Sequence, residues 1–157
     1  MFHSTTGLVH TIFAIIAMVT GAVVLVSIKG TRFHVRVGYI YVISMLSMNI
    51  SSFFLYHLFG TFGVFHWFAI FSLLTLLGGM YPVLFRKHVR LWYYVHLKVM
   101  SWSVVGLYAA FVAEVGTRSL PLSYFWLTVG LGTFAVCGIG RWLIERKLKE
   151  ERLKAQY

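Results

Sequence analysis

Five runs of apolar side chains, each about as long as a bilayer is thick, dominate this sequence: residues 7–28, 35–58, 64–85, 91–115 and 123–144. A helix needs about 20 apolar residues to cross the hydrocarbon core, where every backbone N–H and C=O must be satisfied within the segment. The links KGTRFH, FGTFG, RKHVR and GTRSLPL are short, so each helix must turn back beside the previous one. The expected fold is an all-α membrane protein, five transmembrane helices in an up-down antiparallel bundle. It forms one domain over residues 1–144, and residues 145–157 make a charged helical tail. MFHSTT carries no Lys or Arg and the run after it exceeds the core of a signal peptide, so the first span is expected to be retained.

A net charge of +10 would suggest a nucleic-acid partner in a soluble protein. Here its placement argues otherwise. Lys29, Arg32 and Arg36 flank the first link, Arg86, Lys87 and Arg90 the third, and Arg141, Arg146, Lys147, Lys149, Arg152 and Lys154 the last span and tail. With an odd number of spans these twelve of the fourteen cations fall on one side, leaving Arg118 opposite and Lys98 within the inner half of the fourth span. By the positive-inside rule the N-terminus lies outside and the C-terminus in the cytoplasm, as in a bacterial inner membrane. The charge is a topology signal, with the lipid bilayer as partner and no nucleic acid. Trp92, Tyr93, Tyr94 and Trp142 at one boundary, and Phe62, Trp67, Tyr124 and Trp126 at the other, match the rings expected at the two interfaces.

The acidic side is equally restrictive. There is no Asp, which argues against sites built on paired aspartates or an EF-hand. Cys137 is the single thiol, so an intrachain disulfide, a Cys-based zinc or iron–sulfur site and covalent C-x-x-C-H haem attachment are all excluded. Asn49 reads as an interhelical hydrogen-bonder, and its sequon with Ile50 and Ser51 is mid-helix and not a glycosylation site.

Ionisable side chains at membrane depth mark function by default, and seven histidines are many for this length. His3 and His88 are surface positions. His10, His57 and His66 lie near the outer ends of the first three spans, and His34 and His96 near the inner ends of the second and fourth. Lys98 places LWYYVHLK at the interface, which raises His96 to about the level of His34. His34 shares a helix face with Gly38, Tyr41, Met45 and Ser52, whereas His57 falls about 140° round the same helix. Stripes of small residues accompany two histidines: His10, Ala14, Ala17 and Gly21 on the first helix, and His96, Ser103, Gly106 and Ala110 on the fourth. They suit close helix packing or a flat ligand beside the backbone.

Alternation of outer and inner histidines along four consecutive helices resembles the ascorbate-reducible transmembrane cytochromes b, a family of diheme electron carriers. The resemblance covers about residues 7 to 115. It implies an outer haem b on His10 and His66 and an inner one on His34 and His96, with Arg32, Arg36 and Lys98 available for propionates. The loops here are shorter than that family's donor-binding loops. At residue level, HVRVGYIYVISM from His34 to Met45, FHWF opening the third helix and His96-x3-Met100 resemble a family of bacterial predicted membrane proteins of unknown function.

With both axial positions filled by His, such a site carries single electrons and binds no substrate at iron. No flavin or nicotinamide fingerprint is present, since the glycines of GLGTFAVCGIG lie inside the fifth span. Electrons would come from a quinol, a small reductant or a redox partner protein. Two other readings stand beside this one. His10, His57 and His66 could hold zinc with Glu114 as general base, or the chain could be a cofactor-free accessory or assembly subunit whose histidines join helices. The zinc reading leaves His34 and His96 without a role, and the regular alternation across four helices favours haem.

Overall fold

The computed structural model describes residues 5–56 and 60–154 and is all-helical over them. Five α-helices follow one another: α1 (Thr5–Val26), α2 (Arg32–Ser52), α3 (Val64–Leu84), α4 (Trp92–Ser119) and α5 (Phe125–Lys154), with a 3-10 turn, Leu122–Tyr124, before α5. The five expected runs are all helical, with altered ends. The second helix begins three residues early and ends at Ser52, six short of the expected 58. His57 was expected on this helix and lies outside the described residues. The fifth helix runs without a break from its apolar part through the charged segment to Lys154, because i,i+4 pairs Arg141–Glu145, Arg146–Glu150 and Lys147–Glu151 favour the helix where apolar packing ends.

Four helices, α1, α3, α4 and α5, are long and apolar enough to cross a membrane. The sequence reading counted five. The second helix falls short because it carries Arg32 and Arg36 at its start and Ser44, Ser47, Asn49, Ser51 and Ser52 in its second half. Exposed surface elsewhere is apolar to a degree that water would not tolerate: Val19 is 60% exposed, Leu74 60% and Phe134 78%.

The chain divides into two compact units at Leu74/Thr75, within α3. In the first, α1 packs along α2. Ala17 and Gly21 of the small-residue stripe are buried there, and so are Tyr41, Met45, Met48 and Asn49 of α2. The link between the two helices turns at Gly30, whose φ of +79° favours a residue without Cβ. Lys29 Nζ donates to the terminal carbonyls of Val24 and Leu25, and Thr31 Oγ1 accepts from the His34 backbone N–H to cap α2.

Asn49, 1% exposed, donates from Nδ2 to Met45 O at 2.8 Å and to Ser72 Oγ of α3 at 3.0 Å. The expected interhelical role is met. Asn49→Ala is expected to lower stability in detergent by about 1 kcal/mol. A thermal-melt double-mutant cycle with Ser72→Ala should give no further loss in the double variant.

In the second unit α4 packs along α5. A Cβ on Gly140 would lie 2.5 Å from both methyl groups of Val105, so glycine sets the approach of the two helices. Gly79 of α3 meets Met100 of α4 in the same way. The expected stripe on α4 is only partly a packing face. Ser103 is buried, but Gly106 is exposed with open space beside it.

Candidate histidine sites

His10, His34 and His96 are held in one manner. His10 Nδ1 lies 3.1 Å from Met48 O and 3.2 Å from Ser51 Oγ, both on α2. The Ser51 hydroxyl hydrogen is already given to Met48 O at 2.8 Å, so both groups around the ring act as acceptors. His10 Nδ1 therefore carries the proton. His34 Nδ1 lies 3.0 Å from Ser27 Oγ, which donates its own hydrogen to Val24 O at 3.0 Å. The same assignment follows. His96 Nδ1 is 2.8 Å from Gly79 O, a group that can only accept. In each neutral ring the lone pair then resides on Nε2. This is the arrangement of a metal-ligating histidine, in which an oxygen on Nδ1–H fixes tautomer and ring orientation.

His66 is arranged the opposite way. It is the third residue of α3, and the backbone N–H of Gly63 donates to its Nδ1 at 3.1 Å while its own N–H points to Gly63 O. This reciprocal pair caps the helix as a capping box does, with imidazole in place of Glu or Gln. Nδ1 holds the lone pair and Nε2 the proton. The side chain is buried, 5% exposed, and Nε2 has no hydrogen-bond partner among the described residues. Tyr56 and Phe62 stack on the ring at centroid distances of 4.9 and 4.8 Å, and Phe53 lies at 6.3 Å. A buried N–H without an acceptor costs about 1–3 kcal/mol, so this atom marks a place where a ligand would relieve a deficit.

His10, His34 and His66 belong to the first unit, with His10 beside the C-terminal end of α2 and His34 at its N-terminal end, and His96 with Gly79 belongs to the second. Arg32 and Arg36 project from the first turns of α2 and are exposed; Lys98 is exposed on α4. Glu114, the acid of the alternative zinc site, is ion-paired to Arg118 one turn on. His57, the third imidazole of that site, lies outside the described residues. Among the described residues no three His, Cys, Asp or Glu side chains form a metal-ligand set.

Sequence reasoning missed the supporting groups. Ser27 is joined to His34 across the Gly30 turn, Ser51 had been read only as part of a sequon, and Gly79 acts through its carbonyl. A hydroxyl at a helix end and a paired small-residue step are weak signals, and partner identity depends on which helices meet.

A family model described as a predicted membrane protein (DUF2306) matches residues 7–150. It agrees with the resemblance carried by residues 34–45, the FHWF text and His96-x3-Met100. No curated protein and no solved structure matches the chain.

Proposed function

The chain belongs to the DUF2306 family of predicted membrane proteins, and from that premise we propose that it is a membrane-embedded b-type cytochrome that passes single electrons across the bilayer. One observation carries the reading. Three of the four expected ligands, His10, His34 and His96, present a proton on Nδ1 to an oxygen acceptor, the contact that orients a metal-bound imidazole. When bound, bis-His haem supplies reversible one-electron chemistry.

What the residues themselves do follows from their positions. Met48 O and Ser51 Oγ orient His10, Ser27 Oγ orients His34, and Gly79 O orients His96. On the strength of the resemblance to the transmembrane diheme cytochromes b, His10 with His66 is assigned to one haem and His34 with His96 to the other. His66 fits by burial and by its unpartnered Nε2, but not by tautomer. Ligation there requires its Nε2 proton to leave and, if the proton moves to Nδ1, the Gly63 N–H contact to be given up. Arg32 and Arg36 are the cations assigned to propionates; Lys98, also a candidate by sequence, lines a groove with the charged end of α5.

The second helix is read as a fifth span despite its polarity. Its polar side chains Ser44, Asn49 and Ser51 are buried, whereas Ile40, Ile43 and Ile50 are exposed. That inverted pattern suits a helix with lipid outside and hydrogen-bonding neighbours within. An outside N-terminus, a cytoplasmic C-terminus and a bacterial inner membrane follow from the distribution of basic residues.

The orphaned His66 N–H favours a second reading for that residue alone: donation to the carbonyl of a quinone-like redox partner instead of iron ligation. Purification in detergent followed by a dithionite-reduced minus oxidised spectrum, with haem and zinc quantified, tests the proposal. Sharp b-type bands with up to two haems per chain are the expected result. A colourless protein sinks it, and stoichiometric zinc would favour the metal-site alternative. Ser51→Ala keeps Met48 O on His10, and is expected to weaken haem affinity at that site by about tenfold, the low end for loss of a supporting hydrogen bond. Haem-transfer competition to apomyoglobin measures it.

A further inference from the structure

Where the apolar part of α5 gives way to its charged part, the second unit carries an open groove of about 690 Å³. Lys98 and Trp102 of α4 line it with Arg141, Ile144, Glu145, Leu148, Lys149 and Arg152 of α5. Four cations face one carboxylate, and that carboxylate is engaged: Glu145 accepts from Arg141 at 2.8 Å. The remaining acids are also engaged elsewhere, Glu150 with Arg146 and Lys147, Glu151 with Lys147 and Tyr93, and Glu114 with Arg118. Lys98, Lys149 and Arg152 form no ion pair among the described residues.

The walls are mixed in a particular way. Trp102, Ile144 and Leu148 supply an apolar side and the cations a polar one. A free anion would be served by the cations alone. An amphiphile uses both, and a basic pocket between membrane helices at the headgroup level is the usual form of an acidic-lipid site. Lys98 adds a further argument: it is exposed near the start of a helix apolar enough to span a membrane, at the interfacial level where lipid phosphates lie. We propose that this pocket binds the phosphate headgroup of an acidic phospholipid, with its acyl chain along Trp102, Ile144 and Leu148.

The test uses the full-length protein in detergent and native mass spectrometry, with phosphatidylglycerol and phosphatidylcholine of identical acyl chains as probes. Preferential retention of phosphatidylglycerol is expected. At roughly 1 kcal/mol per cation, Lys98→Gln should weaken that binding about fivefold and the double variant Lys149→Gln/Arg152→Gln on the order of 25-fold. Arg146→Gln/Lys147→Gln removes the same charge from the same helix outside the pocket and should leave binding unchanged. Equal retention of the two lipids by the unaltered protein overturns the proposal, whatever the variants do. An equal loss in the Arg146/Lys147 variant also overturns it, since diffuse charge would then suffice. Displacement of phosphatidylglycerol by excess inorganic phosphate would assign the pocket to the free anion and overturn the lipid.

Discussion

His10→Ala is expected to remove about half of the haem from the purified protein, and His34→Ala about the other half. Under the proposal each ring would be one of the two histidines that hold its haem, so losing either would remove the b-type signature of that site. His34→Ala and His96→Ala should act on the same component, so the double variant loses no more than either single one. His66→Ala separates the two readings of that residue. Loss of the component that His10→Ala removes makes it a ligand; unchanged haem with slowed reduction by a quinol makes it a hydrogen-bond donor to the reductant. Retention of full haem in His10→Ala, His34→Ala and His96→Ala alike would end the cytochrome proposal. Pyridine haemochrome quantification and reduced-minus-oxidised spectra provide the readouts.

Gly79→Leu is expected to be the most damaging single change in the second unit. A Cβ at this position would lie 2.5 Å from Met100 Sδ and 2.8 Å from its Cγ. The flexible thioether can retreat from that contact. The backbone nitrogen of Met100, 3.3 Å away, cannot do so without moving α4. Overpacking of a closed contact costs about 1–3 kcal/mol, and leucine adds three further carbons to the clash. The same residue supplies the carbonyl that holds His96 at 2.8 Å, so displacement of the helix also misdirects that ring. A lowered Tm in detergent and loss of the haem component assigned to His34 and His96 should occur together. Gly106→Ala on α4 is the control. Nothing lies within 4 Å of its added Cβ, and replacing glycine within a helix stabilises by up to about 1 kcal/mol. If Gly79→Leu melts like the unaltered protein, the close approach of α3 to α4 does not hold.

Helical content was legible in the sequence because the signal is long. Twenty apolar residues in a row leave the backbone one way to satisfy itself, and five such runs became five helices. Their ends were less legible. Expecting the second helix to reach residue 58 followed hydropathy through Phe53, Phe54 and Leu55, yet the chain leaves the α-helix there through a succession of tight i→i−3 bonds. The deficit of α2 as an apolar span also has a simple source. Hydropathy averages over all faces, whereas this helix buries Ser44, Asn49 and Ser51 and exposes isoleucine.

The candidate site divides along the same line. His10, His34, His66 and His96 were identifiable because ionisable rings in apolar runs are rare, whatever their neighbours. The protonated nitrogen of each could not be read from the chain, since the groups that decide it are as far apart in sequence as His10 and Ser51. Nor could the difference between His66 and the other three be anticipated. It arises because His66 falls three residues after Gly63 at a helix start, where an unsatisfied backbone N–H claims Nδ1.

By itself, then, the sequence determined a helical membrane protein of the DUF2306 family with histidines spread over its first four helices. Those properties depend on composition and on spacing along one chain. Tertiary structure alone decided which oxygen holds His10, His34 and His96, that Gly79 serves both packing and orientation, and that the His66 N–H is buried without an acceptor among the described residues. It also gathered Lys98 with the charged end of α5. Hydrogen-bond geometry is set over about 3 Å between helices, and linear order leaves distances of that scale open.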